Sequence, residues 1–234
     1  MKSPKTHFIV LYVLLFTALG WLVISTAIQP PQPESIFRRH LNTVVEVRAF
    51  NNDAETDRDK AFGSAVAIKR EGVFVTNAHV VTFRSNETFE NVQVRFATSE
   101  DYIQAEVYRI DRETDLALLK IDTGEARIRP ARIRTSDLRD GETVFAIGNA
   151  QNYGISIKQG LIAQRELTIV ADGRTITAIQ CALHIVAGSS GGALVDSRGR
   201  LIGITTFRLR DFAAQPIYGI SFAIPMSIVQ EFIS

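Results

Sequence analysis

Gly188-Ser189-Ser190-Gly191-Gly192-Ala193-Leu194-Val195-Asp196-Ser197-Arg198-Gly199-Arg200-Leu201-Ile202-Gly203-Ile204-Thr205-Thr206 is the stretch that decides the architecture. It opens with a glycine- and serine-rich turn. A short apolar run, 193–195, follows, then a turn marked by Arg198-Gly199, then a second run, 201–206. Apolar runs this short, bounded by glycine turns, are strand signals.

The same pattern extends outward in both directions. Further runs stand at 45–49, 64–68, 73–76, 92–96, 106–110, 116–121, 144–147, 155–162, 174–179 and 218–224, with turn signals at Asp140-Gly141 and Asp172-Gly173. In the first run Val45, Val47 and Ala49 alternate with Glu46 and Arg48, the period of a strand with one face buried. A dozen short strands without long helical periods argue for an all-β barrel or sandwich class. The irregular stretch 122–135 divides them into two groups, which predicts a connection between two β-barrels, 41–130 and 131–225. The tail 226–234 is expected to add a short helix. Asn51 to Lys60 reads as a polar loop.

Residues 8–28 form an uncharged apolar run. At about 1.5 Å per residue such a helix spans roughly 30 Å, enough to cross a bilayer core. Lys2 and Lys5 precede it and favour a cytoplasmic tail at 1–7, although Arg38 and Arg39 lie on the other side. The alternative is a cleaved signal peptide ending near Ser25-Thr26-Ala27, but the apolar run is longer than a usual signal core. Either reading exports the rest of the chain. Residues 29–40 then read as a proline-rich linker, with Gln29-Pro30-Pro31-Gln32-Pro33 as a stiff spacer.

Composition excludes several classes. A formal net charge of +1 gives no electrostatic case for nucleic acid. The single cysteine, Cys181, rules out an intrachain disulfide, and one cysteine with four scattered histidines argues against a metal cluster. Cys181 reads as a packing residue.

Three short segments carry candidate chemistry: Thr76-Asn77-Ala78-His79-Val80-Val81, Thr114-Asp115-Leu116-Ala117-Leu118-Leu119-Lys120, and Ala187-Gly188-Ser189-Ser190-Gly191-Gly192. A serine hydroxyl attacks only when a base takes its proton. A neutral imidazole does so near pH 7, and a carboxylate on its other nitrogen fixes the tautomer. Glycines beside the serine let the backbone turn and present N–H groups to an oxyanion. Ser190 is therefore the candidate nucleophile, His79 its base and Asp115 the orienting acid. The backbone amides of Gly188 and Ser190, with Ser189 between them, are the candidate oxyanion donors.

These segments resemble the HtrA (Deg) family of trypsin-like serine proteases, from about Phe62 to Ile224. The resemblance includes Gly63-Ser64-Ala65-Val66, Ala146-Ile147-Gly148-Asn149, Gln159-Gly160-Leu161-Ile162 and Gly219-Ile220-Ser221-Phe222-Ala223-Ile224-Pro225. It implies a trypsin-like double β-barrel, here preceded by one transmembrane helix, with the site between the barrels. It also implies polypeptide substrates, no metal or cofactor, and homotrimers. The anchor is similar to that of DegS-like members and places the protease domain on the periplasmic side of a bacterial inner membrane.

The chain departs from the family at identifiable positions. The sequence ends nine residues after Pro225, so a PDZ domain is not expected. Val186-Ala187 precede Gly188-Ser189 where the family often has Asn-Pro, and Ala150 replaces a proline after Gly148-Asn149; both are expected to loosen the oxyanion loop. His184 and Thr205 are the expected walls of the substrate pocket. His184, six residues before Ser190, stands where the family uses small apolar residues; it reads either as a histidine packed or hydrogen-bonded in the pocket wall without contacting substrate, or as a bias toward acidic or polar substrate side chains. A protease-fold binding module with little turnover is the second reading. An α/β-hydrolase esterase does not fit, because strand–helix alternation and the order Ser, Asp, His are missing.

Overall fold

The computed structural model describes residues 32–53, 55, 60–82, 87–124, 127–171, 174–206 and 219–234. The expected anchor at 8–28, the tail at 1–7 and the first part of the linker lie outside the described residues. Among the described residues no helix is long and apolar enough to cross a membrane.

The linker expectation needs correction from Pro33 onward. Pro33–His40 is a helix, α1, and the compact unit that holds both barrels begins at Pro33. Proline suits a first helical turn because its missing N–H would be unpaired there anyway. Ile36 is fully buried in the core, and the His40 ring donates from Nδ1 to the Ile36 carbonyl at 2.7 Å. An apolar side chain four residues before a buried histidine ties this helix to the domain.

Six antiparallel strands close the first barrel: β1 (Val44–Phe50), β2 (Ala61–Lys69), β3 (Val73–Thr76), β4 (Asn91–Phe96), β5 (Ile103–Asp111) and β6 (Leu116–Ile121), in spatial order β1-β2-β3-β6-β5-β4. Six more close the second: β7 (Thr143–Asn149), β8 (Ile155–Ala171), β9 (Arg174–Ala182), β10 (Ala193–Asp196), β11 (Leu201–Thr206) and β12 (Ser221–Pro225), in order β10-β11-β12-β9-β8-β7. A one-turn helix α2 (Ala78–Val81) follows β3, and α3 (Met226–Ile233) follows β12.

Side-chain alternation explains why several strands are apolar on both faces. Phe74, Ala117 and Leu119 point into the first barrel, while Val73, Val75, Leu116 and Leu118 join a second cluster. Val144, Ala146 and Leu194 fill the second barrel, while Phe145, Ile147, Ala193 and Val195 meet that same second cluster from the other side. The shared cluster is the seam between the barrels, and Ile36, Val229 and Phe232 from the two helices pack into it. The Arg109 guanidinium on β5 also lies over the Phe232 ring, 4.8 Å from its centroid. Strands with one face in a barrel and the other in the seam must be apolar throughout.

Candidate active site

The first barrel delivers a histidine and an aspartate. β3 ends at Thr76, and the chain turns into α2, which carries His79. The Asn77 side-chain amide and the Ala78 N–H both donate to the Asp115 carbonyl at 3.0 Å. Asp115 precedes β6 at φ +56°, a left-handed conformation that aspartate adopts more readily than most residues. Its carboxylate accepts the His79 backbone N–H at 3.0 Å and lies 2.8 and 3.1 Å from ring Nδ1. A carboxylate only accepts, so Nδ1 carries the proton and Nε2 carries the lone pair. The His79 side chain keeps 25% of its surface exposed, and Asp115 16%. The ring is shielded yet reachable.

The second barrel delivers the serine loop. Its three carbonyls are each held: Gly188 O by the Ser64 hydroxyl at 2.9 Å, Ser189 O by the Thr205 hydroxyl at 2.6 Å and the Gly192 N–H at 3.1 Å, and Ser190 O by the Ser64 N–H at 2.8 Å. The Gly191 N–H and the Thr205 N–H close the far side, on Thr205 O and Gly192 O, both at 2.9 Å. Flipping a peptide in this loop would break these bonds. The Gly188 N–H, by contrast, donates to no acceptor among the described residues.

Two glycines are obligatory here. Gly191 sits at φ +81°, and a Cβ there would lie 2.0 Å from Ser64 O and 2.3 Å from Thr76 Oγ1. Gly188 sits at φ +87°, and its Cβ would lie 2.3 Å from Asn149 O. A third, Gly63, brings the two halves together: a Cβ on it would lie 2.5 Å from Val80, the neighbour of His79, and 3.2 Å from Ser190 O.

Sequence reasoning missed the residues that join the barrels. Thr206 Oγ1, at the end of β11, lies 3.4 Å from Asp115 Oδ2. Ser64 and Thr76 are fully buried, and Thr76 donates to Ser64 O at 2.7 Å. Ser64 and Thr76 stand inside motifs quoted above, but the motifs do not announce these bonds, because the cross-barrel partners, Gly188 for Ser64 and Asp115 for Thr206, lie 124 and 91 positions away. Thr205 is a correction: it was expected in the pocket wall, but it is 1% exposed and its hydroxyl is engaged on Ser189 O behind the loop. His184 is half-buried, and its carbonyl accepts from the Lys158 ammonium at 3.0 Å. Cys181 is buried, and burial pushes its thiol up to about 12, which leaves it protonated and inert. Among the described residues no cluster of His, Cys, Asp or Glu could hold a metal ion.

The family model for the trypsin-like peptidase domain matches residues 63–204. The chain belongs to the trypsin-like peptidase family. It carries a trypsin-like serine protease domain of the HtrA type. It is 32% identical over 190 residues to serine endoprotease DegS of Haemophilus influenzae, covering 79% of this chain and 54% of that protein. It is 34% identical to the chloroplastic protease Do-like 1 of Arabidopsis thaliana, covering 80% and 42%. Among solved structures, the HtrA-type protease AlgW with tripeptide superposes with a TM-score of 0.72 at 29% identity, covering 87% of this chain and 62% of that one. The Rv3671c protease of M. tuberculosis in its active form gives the same TM-score at 18% identity, a likeness of fold. The chain spans about half the length of the curated relatives it matches.

Proposed function

We propose that this chain is a serine endopeptidase that cleaves exposed or misfolded polypeptide outside a cytoplasmic membrane, held there by residues 8–28. Ser190 is the nucleophile, His79 the general base and Asp115 the residue that orients and charges-balances the ring. The observation that carries the reading is the Asp115 carboxylate, which grips both the backbone and the ring of His79 and leaves Nε2 as the basic nitrogen.

In this mechanism His79 Nε2 takes the Ser190 proton as Oγ bonds to the scissile carbonyl carbon. The carbonyl π pair moves to oxygen, and the N–H groups of Gly188 and Ser190 receive the oxyanion. One such donor is typically worth about 3 kcal/mol in the transition state. The imidazolium then protonates the leaving amine as the C–N bond breaks. Water repeats the sequence on the acyl-enzyme and returns Ser190. The latched carbonyls of residues 188–190 support this role, because they fix the loop before substrate arrives.

A fluorophosphonate probe tests the reading. Labelling of the wild type and none of Ser190→Ala is expected. A folded wild type that never labels would support the alternative, a protease-fold binding module. Protease protection in oriented membrane vesicles tests the anchor and the side of the membrane. Light scattering of the solubilised protein tests the homotrimer that family resemblance implies.

A further inference from the structure

Asn149 is the last residue of β7 and is fully buried. Every polar atom of its side chain is engaged. Oδ1 accepts the Gly154 N–H at 3.0 Å, and Nδ2 donates to Asn152 Oδ1 and to Glu46 Oε2, both at 3.3 Å. Only one amide orientation satisfies these partners, since a carboxylate accepts and a backbone N–H donates. Its backbone is equally committed, with N–H on the Ser64 hydroxyl at 2.8 Å.

Asn149 therefore governs the turn 150–154. Two residues of that turn, Gln151 and Asn152, sit at φ +54° and +61°, positions that cost non-glycine residues energy. The turn in exchange places the Gln151 N–H on the Ala187 carbonyl at 2.8 Å. Ala187 is the residue just before the Gly188 donor. This bond restrains the segment that lacks the prolines of related chains.

The far end of the chain of contacts is a carboxylate in the other barrel. Glu46 lies on β1 and is 3% exposed. It is bound by Arg95 of β4 at 2.9 Å, and that pairing raises the Arg95 pKa. Arg95 and Arg48 both lie over the Tyr102 ring, 4.7 and 3.6 Å from its centroid, which fixes the guanidinium. The Arg95 and Asn149 bonds both fall on Glu46 Oε2, and removing one partner of a buried carboxylate is costly.

We infer that Glu46 is a positioning residue for the oxyanion loop: it orients Asn149 across the barrel seam, and Asn149 holds the turn that tethers Ala187. The inference rests on the reading of Gly188 as an oxyanion donor. Its order of action is Arg95, Glu46, Asn149, Gln151, Ala187, Gly188, with Glu46 never touching substrate.

The test uses the full chain with Glu46→Ala and Glu46→Gln. Glutamine keeps one oxygen that can accept from Asn149, whereas alanine keeps none. The expected result is a 10- to 100-fold fall in kcat for the alanine variant, a KM within about threefold of wild type, and substantial recovery of kcat in the glutamine variant. Unchanged kcat in folded Glu46→Ala overturns the inference. So does a loss of kcat that only tracks the fraction unfolded. Hydrogen exchange at the Gln151 amide is read in parallel and does not require activity. Protection should fall about tenfold in Glu46→Ala; unchanged protection overturns the inference even if the wild type is never labelled by a fluorophosphonate, a result that would count separately against the endopeptidase reading.

Discussion

The Asp115 carboxylate reaches His79 twice, at the backbone N–H (3.0 Å) and at ring Nδ1 (2.8 Å). The second contact sets the tautomer, and the first holds the ring's backbone against the strand that carries the acid. Asparagine at 115 keeps the left-handed backbone and the volume, but its amide offers Nδ1 a donor or a neutral oxygen. We expect Asp115→Asn to lower kcat by about 10³- to 10⁴-fold, as such changes do in serine triads, with a melting temperature within a few degrees of wild type. Steady-state kinetics and calorimetry on the same sample check it. A variant with more than a tenth of wild-type kcat would remove Asp115 from the mechanism.

Thr205 supports the loop through one hydroxyl bond, to Ser189 O. Thr205→Val is close to isosteric and leaves Ser189 O with the Gly192 N–H alone. The stability cost should be about 1 kcal/mol, the usual size of one hydrogen bond. Turnover should fall on the order of tenfold, short of the hundredfold or more that follows outright loss of an oxyanion donor. If Thr205 lined the substrate pocket, KM and side-chain preference would move and kcat would not.

Much of the fold is legible in the sequence. Strands are visible in sequence when turns punctuate them, so eleven of the dozen expected runs lie inside observed strands, and the twelfth starts at Ser221 within its expected range. The two-barrel division was readable because the stretch after Ile121 breaks the pattern. Helix α1 was not, because its prolines read as a spacer and the burial of Ile36 depends on a seam that only tertiary structure creates. The motifs around His79, Asp115 and Ser190 stand out in the sequence as candidates, and the structure pairs His79 with Asp115, but the residues that hold these segments do not stand out. Ser64 binds Gly188 across 124 positions and Asn149 binds Glu46 across 103. Nothing local in a serine or asparagine announces a partner that distant. Where missing prolines predict loosening at Val186-Ala187, the Gln151 N–H binds the Ala187 carbonyl at 2.8 Å and the Ser189 N–H binds the Val186 carbonyl at 3.1 Å.

His184 is joined by a cationic group, Lys158. The Lys158 ammonium meets the His184 carbonyl at 3.0 Å, and no carboxylate pairs with this lysine among the described residues. A half-buried ammonium with one neutral acceptor favours a negative group nearby. We expect a peptide library to show preference for acidic or polar side chains before the scissile bond. His184→Ala and Lys158→Met should each weaken that preference by about tenfold, or ~1.4 kcal/mol. Profiles identical to wild type in both variants would sink the specificity idea.

Two groups, buried His40 and half-buried Glu142, give stability a two-step dependence on pH. Burial, with Arg39 and Arg129 nearby, lowers the His40 pKa below its usual 6.5, although its bonds to Ile36 and Gly199 oppose this. The unfolded chain then binds the proton more readily than the folded one. Stability is therefore intact above about pH 6.5 and declines as pH falls below it, toward the folded pKa. Glu142 acts lower on the scale. Its hydrogen bond to Arg134, with a further one from Arg139, holds the carboxyl down at about 2 from 4.5. Its contribution is complete above 4.5 and is lost as pH falls from 4.5 toward 2. Melting temperature against pH should thus show one decline beginning near 6.5 and a steeper one below 4.5. His40→Gln keeps a donor for Ile36 O and removes only the upper decline. Glu142→Gln removes only the lower one, at a cost in stability at pH 7. An upper decline that survives in His40→Gln would mean that another group titrates there and that α1 is not held by a neutral His40.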